Sequence, residues 1–477
     1  MKKLLLLLSI ISTGAYAASI DHIQTYSPDY LANQAQTGIT QAGANNYNPA
    51  GTTRWDKGQY VHVGLQFATG YEKMEYKGIQ HKAQLRQAIP NVALTSVDDN
   101  GAYFFNFGGI AGGGKLKYDG VSGLDVLGDT DKLAGVGVYD KGSEVKGSNK
   151  YEQITLGRAF KVDDKLSFSV AGRVVHGTRN LNGNLNVGIK PSQEYMQKKG
   201  MEIAKVVDAK TKGLNLPSEK IVAMKQQAID AAKKETAYAV VKGLQGELDA
   251  KREAWGYGFQ LGVNYKATDK LNLAARYDSR IKMDFKSKGH ENKLPTEKLL
   301  GTDLGLSTFY PQYTPGTRTR RDLPAILSVG ASYQATDNYL VSFAGNYYFN
   351  RHAKMDRVQA YGGNEHGYDY KNGWELALGN EYKINNKFTV LGSVNYARTG
   401  AKSSSYNDTE YALNSYTLGA GVKYNYDETL AVTASVAHFI YDKKDGAFTE
   451  KFKGANVENQ KYRKSITAVG LSVTKKF

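Results

Sequence analysis

The sequence predicts an all-β fold, a transmembrane antiparallel β-barrel of about fourteen strands. Three observations predict it: strands with one oily and one polar face, a repeated tight-turn signature between them, and an export signal. The plainest strand pattern is residues 271–286, LNLAARYDSRIKMDFK. Its odd positions read Leu, Leu, Ala, Tyr, Ser, Ile, Met, Phe, and its even positions Asn, Ala, Arg, Asp, Arg, Lys, Asp, Lys. Successive strand side chains point to opposite faces, so the two faces meet two different solvents. A sheet packed on a core does this, and so does a barrel wall with lipid outside and water inside.

The N-terminus favours the barrel. MKKLLLLLSIISTGAYA starts with two lysines, runs through an apolar stretch from Leu4 to Ile11 and ends in Ala15-Tyr16-Ala17. This is the pattern of a secretory signal peptide, residues 1–17, cleaved after Ala17. The apolar run is too short for a membrane-spanning helix, and no later stretch approaches the ~20 apolar residues one needs. The mean hydropathy of -0.49 is polar, as expected where only alternate residues face lipid. The chain carries 51 Gly, 34 Tyr and only 9 Pro. The tyrosines crowd strand ends, where an apolar ring with a polar hydroxyl suits a membrane interface. There are no cysteines, and a closed ring of paired strands can hold an exported chain together without disulfides. The net charge of +16 is spread through the loops. With no compact basic patch interleaved with aromatics, it reads as a solvated or lipopolysaccharide-facing surface and not as a nucleic-acid site.

The turn signature recurs at residues 161–166 (KVDDKL), 266–271 (KATDKL), 334–339 (QATDNY), 383–388 (KINNKF) and 425–430 (NYDETL), with 97–103 (VDDNGAY) as a sixth. Each centres on Asp, Asn or Thr, whose short polar side chains bond their own backbone and favour tight turns. Alternating runs flank them: Tyr257, Phe259, Leu261, Val263 and Tyr265 before one turn, Leu430, Val432, Ala434 and Val436 after another, and Val469, Leu471, Val473 and Phe477 at the end. The hairpins plus one strand at each end give the count of about fourteen, with short turns on the periplasmic side. Long outer connections are expected at roughly 72–88, 113–149, 178–254, 286–322, 351–372, 399–412 and 442–462. The longest is rich in Ala, Lys, Glu, Gln and Met over 194–254, predicting a helical extracellular loop with one helix starting at Ser218 after the Leu216-Pro217 break. It is either a lid that collects ligand or a structural cap. Residues 18–58 do not alternate; a short helix is expected near Asp29 to Gln36, and the segment is either a plug in the lumen or a loose periplasmic extension.

Residues 44–51 read Ala44-Asn45-Asn46-Tyr47-Asn48-Pro49-Ala50-Gly51. Followed by the strand blocks 255–286, 322–349, 374–396 and the terminal ITAVGLSVTKKF, this resembles the FadL/TodX type of long-chain fatty acid transporter of Gram-negative outer membranes. The resemblance covers most of 18–477, least over 113–149 and 194–254. It implies a fourteen-stranded barrel, 59–477, with an N-terminal plug or hatch, 18–58, in its lumen and Asn48, Pro49 and Ala50 as the plug motif. It implies a multi-pass barrel of the cell outer membrane that takes up long-chain fatty acids or similar hydrophobic compounds by passive diffusion, releasing them sideways through a gap made by a strand kink.

Two residue sets follow. Arg173, Arg276, Arg280 and Lys282 share the charged face with Asp278 and Asp284. They are candidate partners for a ligand carboxylate, to which Arg offers bidentate contact; the alternative is a ladder of charges that satisfy one another. Gly108, Gly109, Gly112 and Gly113, in FNFGGIAGGG (105–114), interrupt the third strand and are the candidate kink at the lateral gap; the alternative is a strand fading into a loop. No enzyme signature appears: the eight histidines lack metal-ligand spacing and there is no nucleophile turn or phosphate loop. A monomer without cofactor, set in outer-membrane lipid, is expected. A polar-solute porin and a surface adhesin or structural barrel are the rival readings.

Overall fold

The structure, a computed structural model, describes residues 27–41, 43–128, 136–289, 293–294, 304–305, 311–356, 358–359, 365–366, 370–406, 410–446 and 460–477. The export segment 1–17 falls outside them. Fourteen strands form the wall. The first six are β1 (Gly58–Tyr76), β2 (Ile79–Asp98), β3 (Gly101–Tyr118), β4 (Glu144–Lys161), β5 (Leu166–Pro191) and β6 (Leu244–Lys266). Strands β7 and β8 each have two pieces, Leu271–Asp278 with Asp284–Gly289 and Arg318–Arg320 with Ile326–Thr336. The ring continues through β9 (Tyr339–Tyr348), β10 (Gly373–Lys383), β11 (Phe388–Arg398), β12 (Ser415–Asn425), β13 (Leu430–Tyr441) and β14 (Gln460–Lys476). Each strand pairs antiparallel with the next. Pairing of β1 with β14, from Tyr60↔Lys476 to Glu75↔Lys461, closes the ring.

The short turns form as their side chains dictate. Asp163 Oδ1 accepts from the backbone N–H of Lys165 and Leu166, and Asp427 Oδ1 from those of Thr429 and Leu430. Asn385 does the same for Lys387 and Phe388. Each side chain thus satisfies the N–H groups that a tight turn leaves unpaired.

On the outer side the strands run further than the sequence suggested. Residues 72–88, expected as a long loop, are wall: β1 and β2 continue to a two-residue turn at Lys77 and Gly78, with φ of 49° and 80°. Both positive values match the hairpin turn whose twist fits paired strands. β5 reaches Pro191 and β6 starts at Leu244. The helical insert is correspondingly shorter than 194–254: α3 (Gln193–Thr211) and α4 (Ser218–Lys242) follow α1 (Pro28–Ala32) and α2 (Ser122–Gly128) in chain order. α4 begins at Ser218 as expected, with Pro217 ahead of it.

The motif 271–286 is not one strand. In its first piece Ala274, Arg276 and Asp278 are buried; beyond it Ser279, Ile281, Met283 and Phe285 are buried and Arg280, Lys282 and Lys286 are exposed. The alternation slips by one residue at Asp278–Ser279, where Ser279 N–H bonds the Phe259 carbonyl and Ser279 Oγ accepts from Phe259 N–H. A one-residue slip sends every later side chain to the other face. Arg280 and Lys282, expected in the lumen, therefore point away from it.

The described residues of 27–54 run inside the ring. Gln34 N–H donates to Ser393 Oγ on β11, Asn33 Nδ2 to Glu381 on β10, and Ser332 Oγ on β8 to the Gly38 carbonyl. Close approach is possible because the facing wall positions lack side chains: a Cβ on Gly419 would lie 2.3 Å from the Leu31 carbonyl oxygen. The helix expected to Gln36 stops at Ala32, because Asn33 turns to extended φ/ψ and uses its side chain on the wall.

Candidate functional site

The lumen is layered. Lowest is the N-terminal segment, held by Asn48, whose Oδ1 accepts from Gly51 N–H while its Nδ2 donates to Asn264 on β6 at 2.8 Å. Ser167 on β5 donates to the Ala50 carbonyl, and Arg54 donates to the carbonyls of Asp164 and Lys165 in the β4–β5 turn. Pro49 opens the 3-10 turn Pro49–Arg54, where its fixed φ is already right and its missing N–H costs nothing. Asp29 and His62 of β1 pair at 3.0 Å, and His62 Nδ1 lies 2.8 Å from Thr474 Oγ1 of β14.

Above that segment lies a cavity of about 50 Å³ with a polar lining. On one side Asp278 is shared by two guanidiniums, Arg276 Nε at 3.0 Å and Arg173 Nη1 at 3.6 Å, and accepts from Gln260 at 2.7 Å. Arg276 also donates to the Asn46 carbonyl, tying the wall to the N-terminal segment, and Arg173 donates to Gln153. On the other side Glu375 of β10 accepts from Tyr348 Oη at 2.8 Å and from Asn346. Of the four cations named from sequence, the structure thus brings Arg173 and Arg276 together. It sets Arg280 apart, donating to the His352 carbonyl with half its side chain exposed, and Lys282 is exposed as well. Glu375 was missed, although its place in W-E-L-A-L put it in the inward phase; that phase was the available signal.

An apolar layer follows, with Ile110, Tyr151, Val175, Ile281, Met283 and Phe285 packed together. Over it is a second cavity of about 90 Å³ lined by Gly113, Gly114, Tyr118, Tyr411 and two ion-pair sets. Lys464 and Glu72 meet at 2.5 Å, and Arg179 and Arg321 both hold Glu410. Glu410 is in a connection between strands and carried no sequence signal. Burial pushes the Tyr406 hydroxyl, close to this layer, up to about 12.

The wall between these cavities is interrupted. β2 and β3 pair from Leu85↔Leu116 outward and from Asn91↔Gly108 inward, leaving 86–90 and 109–115 without partners in each other. On its other side β3 slips register against β4 between Gly109 and Ala111 and again before Gly114. Gly112 has φ of 118°, where a Cβ would lie 2.2 Å from the Asn149 carbonyl oxygen, so the bend needs glycine there. Pro90, with no N–H to donate, sits in the part of β2 that pairs with β1 but not with β3. Gly108 stays in both ladders and Gly109 only in the one with β4, while Gly112 and Gly113 pair with neither neighbour.

The family model described as outer membrane protein transport protein (OMPP1/FadL/TodX) matches residues 139–477. The chain belongs to this family. It is an outer-membrane β-barrel. It is similar to the 47 kDa outer membrane protein of Pasteurella multocida, 24% identical over 212 residues covering 42% of this chain and 46% of that one. It is also similar to the putative outer membrane protein NMB0088 of Neisseria meningitidis serogroup B, 21% identical over 49% of this chain and 53% of that one. The chain thus spans about half the length of these curated relatives. A Pseudomonas aeruginosa FadL homologue has the same fold, with TM-score 0.62 and 14% identity over 97% of this chain and 100% of that one. The P. putida toluene transporter TodX aligns with TM-score 0.61 and 16% identity over 95% and 99%.

This family member carries a titratable clasp at its outer end. His81 Nε2 lies 2.8 Å from Asp125 Oδ2 of α2, with Asp119 3.9 Å from Nδ1. Burial pulls the imidazole pKa down, but the hydrogen bond to Asp125 and the charges of Asp125, Asp140 and Asp119 outweigh it, so the pKa is raised. A raised folded pKa stabilises docking of α2 fully below the ordinary value of about 6.5, and the contribution is lost as pH climbs through the raised value. Hydrogen exchange over 120–128 is expected to speed up across that window in the native protein beyond its intrinsic rate, and His81→Gln is expected to abolish the pH dependence.

Proposed function

We propose that the protein is a passive outer-membrane transporter of hydrophobic compounds, long-chain fatty acids foremost, that releases its ligand sideways into the bilayer. The observation that carries this reading is the interrupted β2–β3 ladder beside the outer cavity. Inside hydrocarbon every unmet backbone group costs several kcal/mol, about as much as a lost hydrogen bond in an apolar medium. A wall that keeps such a break has a use for it. Gly113 lines the outer cavity and Ile110 the inner one, so the bent segment touches both. Shifting it joins either cavity to lipid.

Residues 18–58 act as the plug, with Asn48, Pro49 and Ala50 as its latch. The dense bonding of its described residues to the wall favours this over the porin reading, since a filled lumen passes few ions. The cavities, about 50 and 90 Å³, hold only a few water-sized molecules as they stand. Ligand therefore enters by displacing the apolar layer. Arg173 and Arg276 share one carboxylate, Asp278, on one side of the cavity, while Glu375 on the other side is bonded by the neutral Tyr348 and Asn346. The side with two guanidiniums to one carboxylate receives the ligand's carboxylate and favours fatty acids over uncharged aromatic hydrocarbons.

Uptake of labelled oleate by a Gram-negative host stripped of its own transporter tests the route. A Cβ on Gly113 meets nothing within 4 Å, so Gly113→Leu fills the break without a backbone clash. It is expected to lower uptake to about a tenth while oleate binding to the purified protein changes by less than about twofold; unchanged uptake contradicts the lateral route. Arg276→Gln is expected to weaken oleate binding about tenfold, the size of one charge-assisted hydrogen bond, and to leave toluene binding unchanged. Equal loss for both ligands would make Arg276 structural.

A further inference from the structure

The slip in β7 leaves a group of cations that the lumen does not use. Outward positions of β6 run up from Tyr265 through apolar side chains to Tyr257 and Trp255, which are 71% and 61% exposed. Trp255 stacks on His176 of β5. Aromatic side chains at this position mark the upper edge of the lipid-facing band. The next outward residues of β6 are Glu253 and Lys251, which pair in register with Lys286 and Lys288 of β7. Arg318 of β8 stands opposite Lys286. Lys282 and Arg280 are exposed at the junction between the two pieces of β7. The wall is not extended everywhere: β11 and β12 stop at Arg398 and Ser415, next to Tyr396 and Tyr416.

Six cations therefore occupy one outward face just above the aromatic edge. Few acids balance them. Glu253 is held between Lys251 and Lys288, Asp284 pairs with Arg318 at 3.1 Å, and Asp322, 3.9 Å from Arg280, already accepts from Nε and Nη2 of Arg320. Lys282 and Lys286 have no acidic partner among the described residues. Neighbouring strands lie ~4.8 Å apart and alternate residues ~6.6 Å apart, so Lys286, Lys288 and Arg318 form a grid of the size of a phosphorylated sugar head group.

The outer leaflet of this membrane presents such head groups at this height, with acyl chains below them. We propose that the outward face of β6, β7 and β8 binds lipid A of lipopolysaccharide. Its phosphates meet Lys282, Lys286, Lys288 and Arg318, and its acyl chains lie along Trp255, Tyr257 and Phe259. The inference rests on the outer-membrane location and not on the transport reading, and its test does not use uptake.

Native mass spectrometry of the purified full-length protein, with diphosphoryl lipid A or phosphatidylglycerol added, provides the test. The native protein is expected to hold lipid A at least about tenfold more tightly than phosphatidylglycerol, and the variant Lys282→Gln/Lys286→Gln/Lys288→Gln/Arg318→Gln to lose that preference. Lys286→Arg/Lys288→Arg keeps it. Folding of each variant is checked by its heat-dependent migration in gels. If the fourfold variant does not fold, Lys286→Gln/Lys288→Gln serves, with a preference reduced at least about threefold. A folded variant that retains native preference overturns the proposal, and so does a native protein that holds both lipids equally.

Discussion

The bilayer offers the backbone no water, and the rest of the structure depends on that. Every N–H and C=O at membrane depth must find a partner within the wall, which strands provide only as a closed ring. Closure then sets the next problem. A ring of fourteen strands surrounds more space than its own inward side chains fill. The described residues of 27–54 fill it, and they do so with polar groups: Asn33, Gln34, Gly38 and Asn48 all bond inward-facing wall residues. The inward glycines, such as Gly419, let that backbone come close enough to bond.

Against this background the two irregularities in the wall differ in kind. At the β7–β8 junction the lost ladder bonds are replaced. Ser279 exchanges bonds with Phe259, and Ile281 and Leu323 bond each other in both directions. The wall there is bent but sealed, and its product is a change of face that moves Arg280 and Lys282 from inside to outside. At β2–β3 the ladder is left open between Leu85 and Asn91, and glycine and proline occupy the places where partners would be. The first irregularity rearranges side chains, and the second leaves a break in the ladder between two strands.

Much of this was legible in the sequence because a barrel writes its pattern at a period of two. Turns at 162–165 and 384–387, the lipid-facing set from Tyr257 to Tyr265 and the start of α4 at Ser218 all followed from local chemistry. The errors also have local causes. Alternation counts residues without asking whether a bond is missing, so the slip at Asp278–Ser279 was invisible and Arg280 and Lys282 were assigned to the wrong face. The turn at Lys77-Gly78 lacks the usual Asn-Gly or Asp-Gly signal, so 72–88 read as a loop. Within the lumen, Arg173, Arg276 and Asp278 were legible as inward charges, but their sharing of one carboxylate depends on strands far apart in the chain. Glu410 reaches Arg179 and Arg321 from a connection with no periodicity at all.

The central claim is that a hydrophobic ligand crosses while the lumen stays shut. The most direct measurement is ion leak and labelled oleate influx recorded together on the same proteoliposomes. Saturable oleate influx is expected, with ion leak at the level of protein-free vesicles. An ion leak that rises in step with oleate influx would contradict it, because the ligand would then be moving along the barrel axis past a displaced N-terminal segment.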